Sequence, residues 1–223
     1  MKYTLSIIIA LLLTPIIAID AGNNSTQTLS IVPSPAQIVP GEGQFCFSEN
    51  TVFGVENKEQ ARIAEDFISL FSQAAGFTPA LKVGGKAGNV RFRTEKQLPE
   101  EAYRLKVTSD KIEIRAAGIK GFFYGIQTLR MLLPASIEGN TKSNTEWNVP
   151  VVSISDEPRF AYRGLMLDVS RCFIPKENVI RIIDCMAILK INKLHFHLVD
   201  DNGWRLEIKK YPRLTDVGAW RVD

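Results

Sequence analysis

This sequence is short of the residues that build metal centres and disulfide frameworks. It carries two histidines and three cysteines in 223 residues, and no cysteine stands at metal-ligand spacing from another. Cys46, Cys172 and Cys185 leave at least one thiol unpaired. They read as ordinary buried thiols, and whether Cys172 and Cys185 bond depends on geometry that spacing does not supply. Neither sign of charge dominates: 27 Lys and Arg against 24 Asp and Glu give a net charge of +3, with the signs interspersed. That distribution lacks the electrostatic footprint of a nucleic-acid partner. Internal repeats and low-complexity tracts are missing too.

What is present is enough apolar material, 45% of the chain, to bury a sizeable core in one or two domains. At the N-terminus, Met1-Lys2 and the apolar run Leu5 to Ala18 have the form of a secretory signal, too short to span a bilayer comfortably. An uncleaved anchor is the alternative. The pattern predicts a signal over residues 1–21, a polar linker over 22–30 and an exported protein, periplasmic or extracellular, with no stable membrane insertion after cleavage.

Residues 31–149 read as an α+β domain. Ile63, Ala64, Phe67, Ile68, Phe71 and Ala74 recur at helical spacing, which predicts a helix from Glu59 to Ala75 ended by Gly76. Short strands are expected at Val90 to Arg93, Ala102 to Val107 and Ile112 to Ala116. In Tyr103-Arg-Leu-Lys-Val107 apolar and basic residues alternate, as in a sheet with one dry face. A second helix, about Ile119 to Leu133, is closed by Pro134. The expectation is an antiparallel sheet with two helices on one face. The polar stretch 135–149 then marks a domain boundary, and Pro150-Val-Val-Ser-Ile154 a short extended piece before the next domain.

From Gly164 the pattern changes. Gly164 to Val169 is a near-continuous apolar run, typical of a strand covered on both faces. Pro175 opens a helix whose buried face is Val179, Ile182, Ile183, Met186 and Leu189. Leu194 to Val199 completes a βαβ unit. Such a unit predicts the start of a (β/α)8 TIM barrel over residues 150–223, truncated after its second strand. In that architecture the strand ends build the site, which gathers Asp168, Arg171, Asp200 and Asp201. Arginine suits sugars there, since its fork donates to two neighbouring hydroxyls and keeps its charge, and Trp204 offers a face to a pyranose ring.

Three segments carry a resemblance: Arg163-Gly-Leu-Met-Leu-Asp-Val-Ser-Arg171, Lys190-Ile-Asn-Lys-Leu-His-Phe-His-Leu-Val-Asp-Asp-Asn-Gly-Trp-Arg-Leu-Glu-Ile208 and Tyr211-Pro-Arg-Leu-Thr-Asp-Val-Gly-Ala219. They resemble the start of the catalytic barrel of family 20 glycoside hydrolases, the β-N-acetylhexosaminidases. Gly121-Phe-Phe-Tyr-Gly-Ile-Gln-Thr-Leu129 resembles the segment that ends the α+β domain before that barrel. The resemblance implies removal of terminal N-acetylglucosamine or N-acetylgalactosamine from glycans with retention, the sugar's own acetamido oxygen attacking the anomeric carbon. No cofactor is implied. It also implies an adjacent Asp-Glu pair on a later strand, the Asp orienting the acetamido group and the Glu protonating the leaving oxygen.

That pair is not among these residues, so no catalytic residue is assigned and the chain alone is expected to be inactive. Asp156-Glu157 precedes the first barrel strand and reads as a solvated turn; Asp200-Asp201 lacks a glutamate. By resemblance Arg171 binds hydroxyls of the terminal sugar, the alternative being a strand-end ion pair with Asp168 or Asp200. Asp200 and His197 support the site from behind, with Asp168. For His195 and His197, packing in the barrel interior is an equal reading, and Trp204 is equally core or contact. Cys172 departs from the histidine common after this arginine. Two other functions remain open: a metal-dependent barrel hydrolase using the His195-x-His197 spacing, and a non-catalytic truncated product.

Overall fold

The computed structural model describes residues 29–85, 87–201 and 203–220. The expected export signal and nearly all of the linker lie outside them. No helix of the described residues is long and apolar enough to cross a membrane.

The first layer is a seven-stranded sheet. Its strands are β1 (Gln37–Cys46), β2 (Val52–Val55), β3 (Ala80–Val83), β4 (Val90–Thr94), β5 (Tyr103–Val107), β6 (Ile112–Ala116) and β7 (Asn148–Asp156), in the order β1-β7-β5-β6-β4-β2-β3. Helices α1 (Lys58–Ala74) and α2 (Ile119–Leu132) pack on one face, as their spacing predicts. The sheet itself is mixed, which corrects the antiparallel expectation. Strand β2 pairs in parallel with β3 and β4, and β4 with β6, while β5 runs antiparallel to both β6 and β7. The reason is α1: a helical crossover between β2 and β3 returns the chain in the same direction.

Alternation along the strands sorts the side chains. Tyr103, Leu105 and Val107 are buried while Arg104 and Lys106 are exposed. The buried face carries a set of aromatics shared with the two helices: Phe47 lies 5.0 Å from Phe71 and 6.2 Å from Phe67, and Phe92 stacks on Phe122 at 5.2 Å. Helix α1 is capped by Asn57, whose Oδ1 accepts from the Gln60 amide at 3.0 Å, while Gln60 Oε1 accepts from the Glu56 amide at 2.7 Å. Helix α2 lies close on the sheet because Gly121 and Gly125 share its inner face. A Cβ added at Gly121 would meet the Ala102 carbonyl oxygen at 2.3 Å, and one at Gly125 the Ile114 side chain at 2.7 Å.

The boundary expected after residue 149 falls inside a strand. β7 lies between β1 and β5, with Val149, Val152 and Ile154 buried, so the first domain's sheet extends to Asp156. Pro150 to Ile154 is central sheet rather than a lead-in to the barrel.

The second layer is small. β8 (Gly164–Asp168) and β9 (Lys193–His197) pair in parallel from Gly164↔Lys193 to Asp168↔His197, joined by α3 (Lys176–Ile188). The expected βαβ unit is therefore present. Its burial is not as expected: Leu165, Met166, Phe196, Ile183 and Leu189 are exposed, and on α3 only Val179 and Met186 are fully buried. Two strands cover one another's edge but not their faces. The cysteines also depart from the expectation, since Cys46, Cys172 and Cys185 are all free and exposed.

The two layers meet at a polar corner beside an apolar groove lined by Ile119, Phe123, Met186 and Leu194. Helix α3 ends in a Schellman motif, with Lys190 N–H on Ala187 O at 3.1 Å and Ile191 N–H on Met186 O at 2.8 Å. Lys190 takes the left-handed position of that motif, φ 58°, where glycine is usual. Its side chain, 5% exposed, runs into the first domain, and Nζ donates to Asp156 Oδ2 at 3.0 Å and Tyr103 OH at 2.9 Å. Asp156 is thus an interior partner and not the solvated turn expected of it. Beside this pair, Arg163 donates to Glu101 at 2.9 Å, to Tyr124 OH at 2.6 Å and to the Lys190 carbonyl at 2.8 Å. Asn192 closes the corner, accepting from the Arg163 amide at 3.0 Å.

Because β7 belongs to the sheet, residues 29–158 should fold alone and residues 29–147 should not. Losing three buried apolar side chains at roughly 1.5–3 kcal/mol each removes about the whole margin of a small domain. Thermal unfolding followed by circular dichroism checks this: a cooperative transition is expected for the longer fragment only, and equal transitions for both would contradict the placement of β7.

Candidate functional site

The site grows from the end of β8. A strand that stops at an aspartate presents a carboxylate to the turn that follows, and Asp168 uses both oxygens. Its Oδ1 accepts from the amides of Ser170 at 3.0 Å and Arg171 at 2.9 Å; its Oδ2 lies 3.3 Å from Arg171 Nη1. The other guanidinium nitrogen, Nη2, reaches Asp200 Oδ2 at 3.0 Å, just beyond β9. Arg171 therefore spans the two neighbouring strand ends. Its side chain remains 68% exposed, so a ligand can approach the fork from solvent.

His197 sits behind the arginine. It is the register partner of Asp168, with Nδ1 3.6 Å from Asp168 Oδ2 and Nε2 3.7 Å from Asp200 Oδ2, and Nε2 is 2.8 Å from the Val199 carbonyl oxygen. Thus Asp168, Arg171, His197 and Asp200, named from sequence, form one cluster. Asp201 contributes its amide, which donates to Asp200 Oδ1 at 2.8 Å. His195 lies two residues back on the same strand face, exposed, in register with Met166. Among the described residues no group of three or more His, Cys, Asp or Glu side chains is placed to hold a metal ion. Trp204 is half-buried and its indole N–H donates to the Leu206 carbonyl at 2.6 Å.

The carboxylates are held in their charged form. The Arg171 amide is the largest influence drawing the Asp168 carboxyl below its ordinary range; desolvation opposes it, and the His197 and Arg171 side chains and the Ser170 amide add to it. For Asp200 the leading cause is the Asp201 amide, again against desolvation, with Arg171 next. What sequence reading missed is the anchoring: Lys190, Asn192 and Arg163 fix this corner to the first domain, and Arg205, whose guanidinium donates to the Val169 carbonyl at 3.1 Å, braces the turn. The only signal for Lys190 is a lysine standing where a helix-ending glycine is usual.

Comparison with known proteins finds two matches that together span nearly the whole described chain. "Glycosyl hydrolase family 20, domain 2" matches residues 28–157, and "Glycosyl hydrolase family 20, catalytic domain" matches residues 160–223. A Beta-hexosaminidase of Porphyromonas gingivalis is 38% identical over 199 residues, 87% of this chain and 26% of that protein. Among solved structures, the Streptomyces plicatus N-acetyl-beta-hexosaminidase in complex with Thio-NAglucal superposes with a TM-score of 0.78 at 36% identity, covering 84% of this chain and 38% of that one. The Vibrio harveyi exo beta-N-acetylglucosaminidase in complex with N-acetylglucosamine gives a TM-score of 0.74 at 34% identity, covering 85% of this chain and 28% of that one. The chain thus spans between about a quarter and two fifths of the length of these relatives.

The depressed carboxyls fix the sign of a pH response. A carboxyl lowered by folding contributes its stabilisation fully above the unfolded value, 3.8 for both groups, and loses it as pH falls through the lower folded value. The Arg171 amide resonance should therefore show a step below the ordinary carboxylate range. A nuclear magnetic resonance titration checks this, and the absence of any step below that range would contradict the pairing of Asp168 with this amide.

Proposed function

Because the chain belongs to glycosyl hydrolase family 20, we propose that it supplies the sugar-holding corner of a β-N-acetylhexosaminidase. The substrate class in this reading is glycans with terminal, non-reducing N-acetylglucosamine or N-acetylgalactosamine. The observation that carries the proposal is the Arg171 fork, fixed between Asp168 and Asp200 at 3.3 and 3.0 Å with its side chain 68% exposed.

The chemistry follows from that arrangement. A pyranose presents adjacent hydroxyls, and a planar guanidinium can donate to two of them at once without changing protonation state. Asp168 and Asp200 set the plane of the fork, and His197 lies behind both carboxylates. The glycosidic bond is cleaved with retention by the substrate's own acetamido oxygen, with an Asp to orient it and a Glu to protonate the leaving oxygen. In this reading the described residues hold the sugar, and none of them is assigned as the orienting Asp or the proton-donating Glu. The apolar run from Leu5 to Ala18 supports export, which would place the activity outside the cytoplasm.

The test is Arg171→Lys in a complete family 20 hydrolase that includes this segment, with the 223-residue chain assayed alongside it and expected to show no turnover. A single ammonium cannot reproduce a two-hydroxyl fork. On an aryl N-acetyl-β-glucosaminide, kcat/KM should fall by about thirtyfold, on the order of 2 kcal/mol. The melting temperature should change by no more than about 2 °C, since exposed ion pairs contribute little. An intact kcat/KM with a melting temperature lowered by several degrees would make Arg171 structural and sink the proposal.

A further inference from the structure

Arg171 stands on a turn, Val169 to Phe173, whose own position depends on another arginine. Arg205 follows β9, and its backbone amide donates to the Leu198 carbonyl at 2.9 Å. Its Nε donates to the Val169 carbonyl at 3.1 Å, its Nη1 donates to the Ala219 carbonyl, and its guanidinium lies over the Phe173 ring, 5.3 Å from the centroid. Val169 and Phe173 lie on either side of Arg171 in the chain, so one planar group touches both arms of the turn.

The neighbouring contacts make that brace specific. Ser170, fully buried, donates through Oγ to the Gly203 carbonyl at 3.0 Å. Gly203 has φ +79°, and a Cβ there would meet the Ser170 carbonyl oxygen at 2.3 Å; only glycine fits the closest approach of the two loops. The segment after β9 is thereby pressed onto the turn after β8, and Arg205 ties both to the chain at Ala219.

We propose that Arg205 is a positioning residue: it acts through the Val169–Phe173 turn to hold the Arg171 guanidinium in its sugar-facing place, an inference that rests on the reading of Arg171 as the sugar-holding group. The bonds of Arg205 end on backbone carbonyls and a ring, so its influence on the reaction passes through Arg171. A lysine at this position could reach one carbonyl but could not span two.

Two measurements test this. The first is a double-mutant cycle in the full-length hydrolase with Arg171→Ala and Arg205→Ala, read as kcat and KM on an aryl N-acetyl-β-glucosaminide. Arg205→Ala should lower kcat/KM by about tenfold or more in the native background and by less than about twofold when Arg171 is already alanine, because contacting or coupled residues are not additive. Arg205→Lys should fall between. Equal losses in both backgrounds overturn the proposal. If Arg171→Ala itself has no effect, the sugar-holding reading fails, and the brace is judged by the second measurement alone. That measurement is amide hydrogen exchange on the 223-residue chain: Arg205→Ala should speed exchange at Ser170 and Arg171 by about tenfold or more while β5 and β6 keep their protection. Unchanged exchange at those two amides overturns the positioning role whatever the kinetics show.

Discussion

A buried ammonium must be met by a carboxylate, and the arrangement of this chain turns on one such pair. Lys190 and Asp156 come from different layers, and each is largely removed from water, with side chains 5% and 14% exposed. Desolvation is the largest influence on Lys190 and draws its pKa down, while Asp156 works in the opposite direction. Tyr103 OH lies between Lys190, Asp156 and Thr128, and burial, followed by the charge of Asp156, pushes that phenol far up. Such a pair adds little net stability over an apolar substitute, but removing one partner strands the other. The pair therefore specifies where α3 ends and β9 begins more than it holds the molecule together.

That specification reaches the candidate site in two short steps. Lys190 is three residues before β9, and the neighbouring Asn192 and Lys193 amides donate to the Arg163 carbonyl at 2.9 and 3.1 Å, one residue before β8. The starts of both strands are thus pinned at the corner where they meet the first domain. Five paired residues later the strands end at Asp168 and His197, where the Arg171 fork is set. The exposed faces of Leu165, Met166 and Phe196 show how little apolar burial β8 and β9 have of their own, which is why the polar corner matters.

Much of this was legible in the residues. The helices followed from apolar spacing because their buried faces meet a sheet, and α1 and α2 stand within two residues of where the pattern puts them. The strand-end cluster was legible because short apolar runs ending in charged groups leave few arrangements. Strand β1 was not, since Pro40, Gly41 and Gly43 interrupt any strand alternation; the strand tolerates them at a sheet edge, with a register shift between Pro40 and Gln44. β2 and β3 are four residues each, too short for alternation to show. The buried faces assigned to β8 and α3 presumed covering layers that these described residues do not provide. Long-range polar pairing left the weakest trace: nothing near Asp156 in sequence announces a partner 34 residues on, and an aspartate beside a glutamate resembles a solvated turn.

The most direct test of the polar corner is a double-mutant cycle on Lys190 and Asp156, read by urea unfolding of the 223-residue chain. Lys190→Met and Asp156→Asn should each destabilise by about 3 kcal/mol, because each leaves a buried polar partner unmatched. The double variant should be more stable than the sum of the two by about 2 kcal/mol. Single losses below about 1 kcal/mol that add to within about 0.5 kcal/mol would show that the pair does not join the layers and would contradict the account.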